Sequence, residues 1–225
     1  MKIGLPKEIP VMTLPGTVLF PHTLLPLHIY EQRYRRMLET ILTAERIFAV
    51  AALDRKAALH PDAFEPSCGV ATAGLIRMCQ TNEDGTSNLL LQGFARIQID
   101  EVVQESPYRV IRVRPLRTVS GAKAETLASL RRELIQLVKS KIRLGARVPD
   151  EILQMLGHID DPDAISDLAA YTLCDDDSLK QALLENPSTK DRLLIIIKQM
   201  RADLALLHLS RKLQGGLDEN QIADN

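Results

Sequence analysis

The spacing of apolar residues changes once along the chain, near residue 120. Before this point the apolar residues form short runs or alternate with polar ones, a pattern typical of β-strands. After it they recur every three or four residues, as on one face of a helix. We therefore predict an α+β protein with a β-rich domain over residues 1–120 that includes one or two helices. A helical bundle over residues 121–214 and a flexible tail over residues 215–225 complete the predicted organisation.

A hairpin is the clearest element of the β-rich part. Two strand-like segments, Gly69–Gln80 and Asn88–Asp100, flank the polar sequence TNEDGTS. Its Asp84-Gly85 pair supplies the positive φ angles that a tight hairpin turn requires. Further strands are predicted at Ile3–Leu14, Ile47–Leu53 and Pro107–Leu116.

The stretch Leu14–Met37 combines two apolar runs with two prolines and the start of a helix. The run Val18–Phe20 ends at Pro21, and the run Leu24–Leu27 contains Pro26. Proline cannot donate a hydrogen bond to a sheet, so it favours strand ends, edges and corners. The order strand, corner, strand, helix is therefore predicted for this stretch.

Helical spacing predicts the remaining elements. Gly145 ends the first long helix of the C-terminal part, because glycine is favoured just past a helix end. Pro149 and the acidic residues after it suit the first turn of the next helix. The other helices are predicted at about 30–44, 124–144, 163–173, 178–184 and 190–213.

The composition is that of a globular protein, and the net charge does not favour a highly charged partner. The chain has 225 residues, 45% hydrophobic content and a formal net charge of −1. This charge disfavours nucleic acid as a partner, since nucleic-acid-binding domains carry an excess of basic residues. No apolar run approaches the roughly 18 residues of a membrane helix, and the start MKIGLPKEIP lacks the apolar core of a signal peptide. We expect a cytoplasmic protein without a membrane partner.

The reactive residue types form no catalytic or metal-binding pattern. Cys68, Cys79 and Cys174 are odd in number and widely spaced, which fits neither a disulfide framework nor a structural zinc site. The histidines form no HExxH-like ligand pair, and no GxxxxGKS/T phosphate loop occurs. Ser140 lies between two lysines, but neighbours in a helix point apart. We predict no catalytic residue, no metal and no cofactor, and hence no enzyme.

An ordered set of short motifs runs through both parts of the chain. The motifs are LPGTVLFP, PLHIYEQRYRRM, CGVATAGLI, DGT, GFAR, PY, DP, DLA, QALLE and RL, and they cover roughly Ile9 to Leu213. Together they resemble the N-terminal substrate-binding domain family of Lon proteases. This resemblance implies a PUA-like β pseudo-barrel followed by a helical bundle. The ATPase and peptidase modules of full Lon proteases are not expected here, so we predict a stand-alone form.

The resemblance also implies a function in protein binding. It points to a non-catalytic module that recognises unfolded or exposed apolar protein segments, in connection with a protease system. Such a module would use an apolar groove or add a strand to its sheet edge. Leu24 and Leu25 are the predicted peptide-binding residues, because their stretch has more large apolar side chains than one corner strand must bury. The alternative is that both leucines pack inside the barrel.

Other interpretations remain open at this point. PUA-like barrels elsewhere bind small molecules or RNA, and a degenerate hydrolase would show a polar pocket with perturbed acids. Only 4% of the residues are aromatic, which argues against base-stacking platforms. For Gly93 and Arg96 we favour a strand bulge and a surface guanidinium over a ligand role. A homodimer is compatible with the sequence.

Overall fold

The computed structural model describes residues 4–60, 65–146 and 148–213. These residues form a mixed sheet of six strands and six α-helices, and the predicted α+β class with a β pseudo-barrel followed by a helical bundle is confirmed. The predicted tail over residues 215–225 lies outside the described residues. The strands are β1 (Glu8–Leu14), β2 (Leu24–Ile29), β3 (Ile47–Ala52), β4 (Val70–Thr81), β5 (Ser87–Gln104) and β6 (Val110–Pro115). The helices are α1 (Gln32–Leu42), α2 (Ala124–Arg143), α3 (Asp150–His158), α4 (Pro162–Leu173), α5 (Asp177–Glu185) and α6 (Thr189–Leu213).

The barrel closes around β5. This strand is 18 residues long, enough to pair with β4, with β2 along its first half and with β6 along its second half. The strand order β2-β5-β4-β3-β1-β6 therefore returns to β5, and β2 is attached outside the closed ring. Register shifts within the β4–β5 and β5–β6 pairs supply the local bends that a closed sheet needs.

Two apolar clusters lie on opposite faces of the sheet, because side chains alternate along each strand. One cluster draws on every strand of the ring and is rich in alanine, which suits a narrow barrel interior. It includes Ile9, Val11, Ala49, Ala51, Ala71, Ala73, Ile97 and Ile111. In the other cluster the buried side of α1 packs on the side of the sheet that faces away from the barrel interior, with Tyr34, Met37 and Ile41 near Met12, Phe48 and Leu91.

The strand predicted at Val18–Phe20 is wrong. These residues are buried but lie outside any strand. The carbonyls of Leu19 and Phe20 accept from threonine side chains: Thr72 Oγ1 donates to Leu19 O at 2.6 Å, and Thr23 Oγ1 donates to Phe20 O at 2.8 Å. The apolar run therefore packs as a crossing segment, which periodicity alone does not distinguish from a short strand.

Contacts divide the chain into two compact units. The barrel unit consists of the residues up to Val119 together with Ala170–Pro187, and the helical unit of Ser120–Ala169 together with the residues from Ser188 onwards. Helix α5 thus belongs with the strands: Gln181 Nε2 donates to Val70 O at 3.0 Å. The division into separate domains at residues 1–120 and 121–214 stays a prediction.

The helical unit is built on α2 and α6, which pack along each other. Their buried residues include Leu127, Leu134 and Val138 of α2 and Leu193, Ile197 and Met200 of α6. Arg192 is fully buried beside Asp163, Ser166 and Asp167 of α4. In the part of the chain that is described, no helix has the length and apolar character needed to cross a membrane.

Candidate functional site

An exposed apolar row crosses the strands that extend beyond the ring. Pro26 of β2 lies opposite Leu90 of β5, and Leu90 in turn lies opposite Met78 of β4. Pro26 is exposed, Leu90 is half-buried and the Met78 side chain is 68% exposed. We call Leu24, Pro26, Leu90 and Met78 the outer face. Three apolar side chains in direct cross-strand register form a contiguous surface, unlike the scattered apolar residues of an ordinary protein surface.

The structure separates the two leucines predicted to bind a peptide. Leu24 is 47% exposed and belongs to the outer face, whereas Leu25 is 9% exposed and packs in the core cluster with Leu91 and Ile76. The alternation of side chains along β2 explains the difference, because consecutive residues point to opposite faces of a strand. Peptide binding at Leu24 and Leu25 stays a prediction, and Leu24 is the residue placed to take part in it.

Polar residues border the apolar row on both sides. On one side Arg77 Nε donates to Gln92 Oε1 at 2.5 Å, in the row that contains Leu24. On the other side His28 Nδ1 lies 2.8 Å from Asn88 Oδ1, and the exposed Tyr30 ring stacks on His28 with a centroid distance of 6.2 Å. An apolar centre with a hydrogen-bonding border is the general arrangement of a protein-binding surface.

The free edge of β2 is poorly suited to adding another strand. Among the described residues β2 has a strand neighbour on one side only, β5. Pro26 has no N–H to donate at this edge, and the Leu24 carbonyl already accepts a hydrogen bond from the Tyr171 hydroxyl at 3.2 Å. Proline and covering side chains are common protections of edge strands. The outer face, more than the edge, is therefore the candidate site.

Comparison with known proteins identifies the family to which the chain belongs. The model of the ATP-dependent protease La (LON) substrate-binding domain matches residues 8–202. The chain belongs to this Lon substrate-binding domain family. The Lon protease of Desulfosudis oleivorans is 26% identical over 219 residues, which are 96% of this chain and 26% of that protein. Lon protease 2 of Myxococcus xanthus is 25% identical over 216 residues, with the same coverage. The chain therefore spans about a quarter of the length of these relatives.

Solved Lon domains share the fold. The N-terminal domain of the Mycobacterium avium complex Lon protease superposes with a TM-score of 0.66 at 16% identity, covering 87% of this chain and 98% of that domain. The Lon N-terminal domain protein from Xanthomonas campestris gives a TM-score of 0.61 at 19% identity, covering 87% and 97%. The resemblance stated from the motifs is thus confirmed.

Two residues of the Lon-like GFAR motif have structural roles. The strand bulge predicted at Gly93 is present, because the consecutive residues Ala73 and Gly74 lie opposite Ala95 and Gly93. A Cβ at Gly93 would collide with the backbone carbonyl of Phe20, so glycine is needed where the buried segment crosses β5. Arg96 is buried, and its Nε donates to Leu184 O at 3.1 Å, near the end of α5. The prediction of a surface guanidinium at Arg96 is wrong, because this side chain joins β5 to a helix that is 88 residues away in sequence.

A small cavity of this Lon-family barrel unit is lined by paired charges. Its volume is about 200 Å³, and its walls include Arg33, Tyr34, Glu65 and Arg109. Arg33 donates to both carboxylate oxygens of Glu65, at 2.6 and 2.7 Å, and its guanidinium lies 4.5 Å from the centroid of the Tyr34 ring. The hydrogen bond to Glu65 raises the pKa of Arg33 further above its usual value, and burial raises the pKa of Tyr34. This arrangement fastens α1 to the segment at Glu65.

A second cavity, of about 350 Å³, lies between the loop after β3 and helix α5. Arg55 and Asp177 both line it, with Arg55 Nη2 and Asp177 Oδ2 2.9 Å apart. Cys68 also lines it, and burial, followed by the nearby carboxylates of Asp54 and Glu185, raises the pKa of its thiol. A thiol that stays protonated at neutral pH is a weak nucleophile. The cavity therefore does not favour the hydrolase interpretation, and the expectation of no catalytic residue stays a prediction.

Proposed function

We propose that this protein is a non-catalytic module that binds exposed apolar segments of unfolded proteins on its outer face, at Leu24, Pro26, Leu90 and Met78. The single observation that carries the proposal is the apolar row Pro26–Leu90–Met78, which is continuous across three strands and exposed at Pro26 and Met78. Membership of a family described as a substrate-binding domain supports a role in recognising protein chains.

The residue types of the outer face suit varied partners. Methionine has a flexible, polarisable side chain and is common at surfaces that accept many sequences. Pro26 gives the opposite end of the row a fixed backbone. Strands lie about 4.8 Å apart, so the three positions span about 10 Å, enough for two or three side chains of a bound segment. An interface of this size that must also order its partner supports weak binding, on the order of micromolar.

The polar border would orient the bound segment. Gln92 and Arg77 lie on one side of the row and Asn88 on the other, and their amide and guanidinium groups can hydrogen-bond to an extended backbone. Such contacts read the backbone and not the side chains, so they are compatible with many sequences.

The proposed module catalyses no reaction, and it acts in the cytoplasm together with a protease system. The sequence has no phosphate loop, so it lacks the motif that binds the nucleotide phosphates in many ATPases. Relatives named Lon protease support the association with proteolysis. The purified protein is expected neither to hydrolyse ATP nor to degrade casein.

A binding titration tests the proposal. A fluorescently labelled, permanently unfolded polypeptide is titrated with wild-type protein and with a Leu24→Ser, Met78→Ser double variant. Removal of two exposed apolar side chains from the site should weaken binding by at least about tenfold, since burying one such side chain contributes about 1.5–3 kcal/mol. Leu59→Ser is the matched control, because Leu59 is an exposed leucine outside the outer face. Equal affinity of the double variant and the wild type would overturn the site, and binding by neither protein would overturn the function.

A further inference from the structure

Met78 is the most exposed of the methionines that the structure describes. It is 68% exposed, and Met155, in the helical unit, is 47% exposed. Met12, Met37 and Met200 are buried, with at most 4% of each exposed. An oxidant in solution must reach the thioether sulfur, so susceptibility follows exposure. Met78 is therefore the thioether of this set that a dissolved oxidant reaches most readily.

A β-bulge turns Met78 outwards. The register of β4 and β5 shifts between Ile76 and Met78, with Arg77 as the extra residue. Ile76 is buried, and regular alternation would place Met78 on the same buried face two residues later. The extra residue reverses the phase, so that Met78 is exposed and Cys79 packs against the core cluster instead. A specific irregularity of the strand thus presents the thioether at the surface.

Met78 forms one end of the apolar row of the outer face. It lies opposite Leu90, which lies opposite Pro26, and neither of these side chains has a hydrogen-bond donor. Conversion of the thioether to a sulfoxide adds a polar S=O acceptor at this end of the row. A bound apolar segment would cover that oxygen without supplying a donor, and burial of an unpaired polar group opposes binding.

We propose that Met78 is a site of reversible oxidation by hydroperoxides, and that its sulfoxide releases apolar segments from the outer face. The release rests on the proposed function of that face, whereas the oxidation does not. Oxidised and reduced Met78 would then correspond to a closed and an open binding surface, with no change in the fold.

Both steps of the cycle are chemically balanced. In the forward step a lone pair of the sulfur attacks the terminal oxygen of a hydroperoxide, ROOH, so that the S–O bond forms and the O–O bond breaks. The proton of that oxygen passes to the departing RO⁻, which leaves as ROH; sulfur loses two electrons and the peroxide gains them. In the reverse step two thiols of a reductase system return two electrons, and the products are the thioether, a disulfide and water.

Peptide mass spectrometry of the full chain tests the modification site independently of binding. The folded protein is treated with hydrogen peroxide, the peroxide is removed with catalase, and the gain of one oxygen atom is followed at each methionine. Met78 should be oxidised at least about fivefold faster than the three buried methionines. A rate at Met78 as low as that of the buried three would overturn the site.

The polypeptide titration tests the release. A labelled unfolded polypeptide without methionine or cysteine is added, after removal of the peroxide, to wild type, Met78→Leu and the matched control Met155→Leu. Each protein is compared with itself before and after oxidation, so the three need not start from the same affinity. Oxidation should weaken binding at least about fivefold for wild type and Met155→Leu, and less than about twofold for Met78→Leu, because leucine has no sulfur to oxidise. Any effect of thiol oxidation is common to all three, since each keeps Cys68, Cys79 and Cys174.

Reduction and folding complete the test. The two methionine sulfoxide reductases, one for each epimer, should return the oxidised wild type to its starting affinity with dithiothreitol, whereas dithiothreitol alone should not. Circular dichroism should be unchanged by oxidation, since Met78 is exposed. Equal losses in wild type and Met78→Leu, or no loss in a wild type that binds before oxidation, would overturn the release and leave the proposed function standing. No binding before oxidation would overturn both.

Discussion

The barrel unit and the helical unit each bury an arginine, and the two guanidiniums contact different kinds of group. In the barrel unit Arg96 donates to a backbone carbonyl, that of Leu184. In the helical unit Arg192 pairs with Asp163, lies 3.9 Å from the fully buried Asp167 and donates to Ser166 Oγ at 3.1 Å. Arg96 thus binds a neutral carbonyl, and Arg192 is buried together with opposite charges.

This difference decides how each unit responds to losing its arginine. Removing one member of a buried ion pair leaves its partner charged in a medium of low polarity, which costs several kcal/mol. Removing a donor from a carbonyl leaves a polar but neutral group unsatisfied, which costs less. The effect should therefore be larger in the helical unit.

The largest effect is expected for Arg192→Met, which keeps much of the side-chain volume and removes the charge. The free energy of unfolding should fall by about 4 kcal/mol, because the Asp167 carboxylate stays buried without this guanidinium beside it. Urea titration followed by circular dichroism measures the change. Arg201→Met is the control: Arg201 pairs with Glu133 on the surface, and its loss should change stability by less than about 1 kcal/mol. Equal effects of the two substitutions would contradict the role given to the buried pair.

Two neighbouring leucines of β2, the buried Leu25 and the exposed Leu24, allow a comparison within the barrel unit that involves no charge. Leu25→Ala should destabilise the protein by about 3 kcal/mol, because it leaves a cavity in the core cluster. Leu24→Ala removes an exposed side chain and should change stability by less than about 0.5 kcal/mol. The same urea titration compares the two. Similar losses for both would mean that β2 does not alternate in solution as it does in the structure.

Arg96→Met should have a smaller effect than Arg192→Met, about 2 kcal/mol. The loss would arise because the Leu184 carbonyl loses a buried donor and α5 loses a link to β5. Hydrogen exchange should rise first in α5. Arg114→Met, which removes an exposed partner of Asp100, is the matched control within the barrel unit. A destabilisation as large as that of Arg192→Met would contradict the distinction between neutral and charged partners.

Local patterns predicted most elements of this fold, because strand and helix spacing depends on neighbours in the sequence. The hairpin β4–β5 and the helices from α2 to α6 were found in this way, and Asp84-Gly85 lies in the hairpin turn, with Gly85 at a φ of 77°. The crossing segment Val18–Phe20 was mistaken for a strand, since its buried apolar side chains resemble those of one. Its actual hydrogen bonds come from Thr23 and from the distant Thr72.

The candidate site depended on information that local patterns do not contain. The sequence pointed to Leu24, but the outer face needs Met78 and Leu90, which come into register with Pro26 only when three strands pair. Arg96 gave no periodic signal, because its partner Leu184 lies on a helix that returns to the barrel unit. A prediction of strand pairing would have supplied the outer face, by aligning alternate residues across the three strands.

The smallest effect is expected for Tyr171→Phe, which removes one hydroxyl at the edge of β2. Because its hydrogen bond to the Leu24 carbonyl is exposed, stability should fall by no more than about 1 kcal/mol. The substitution separates two ways of binding an extended segment. If the segment lies on the outer face, its affinity in the labelled-polypeptide titration should stay within about twofold of the wild type. If the segment instead adds to the edge of β2, freeing the Leu24 carbonyl should strengthen binding, because one more backbone acceptor becomes available. Tighter binding by Tyr171→Phe, with the Leu24→Ser, Met78→Ser variant unaffected, would move the site from the face to the edge.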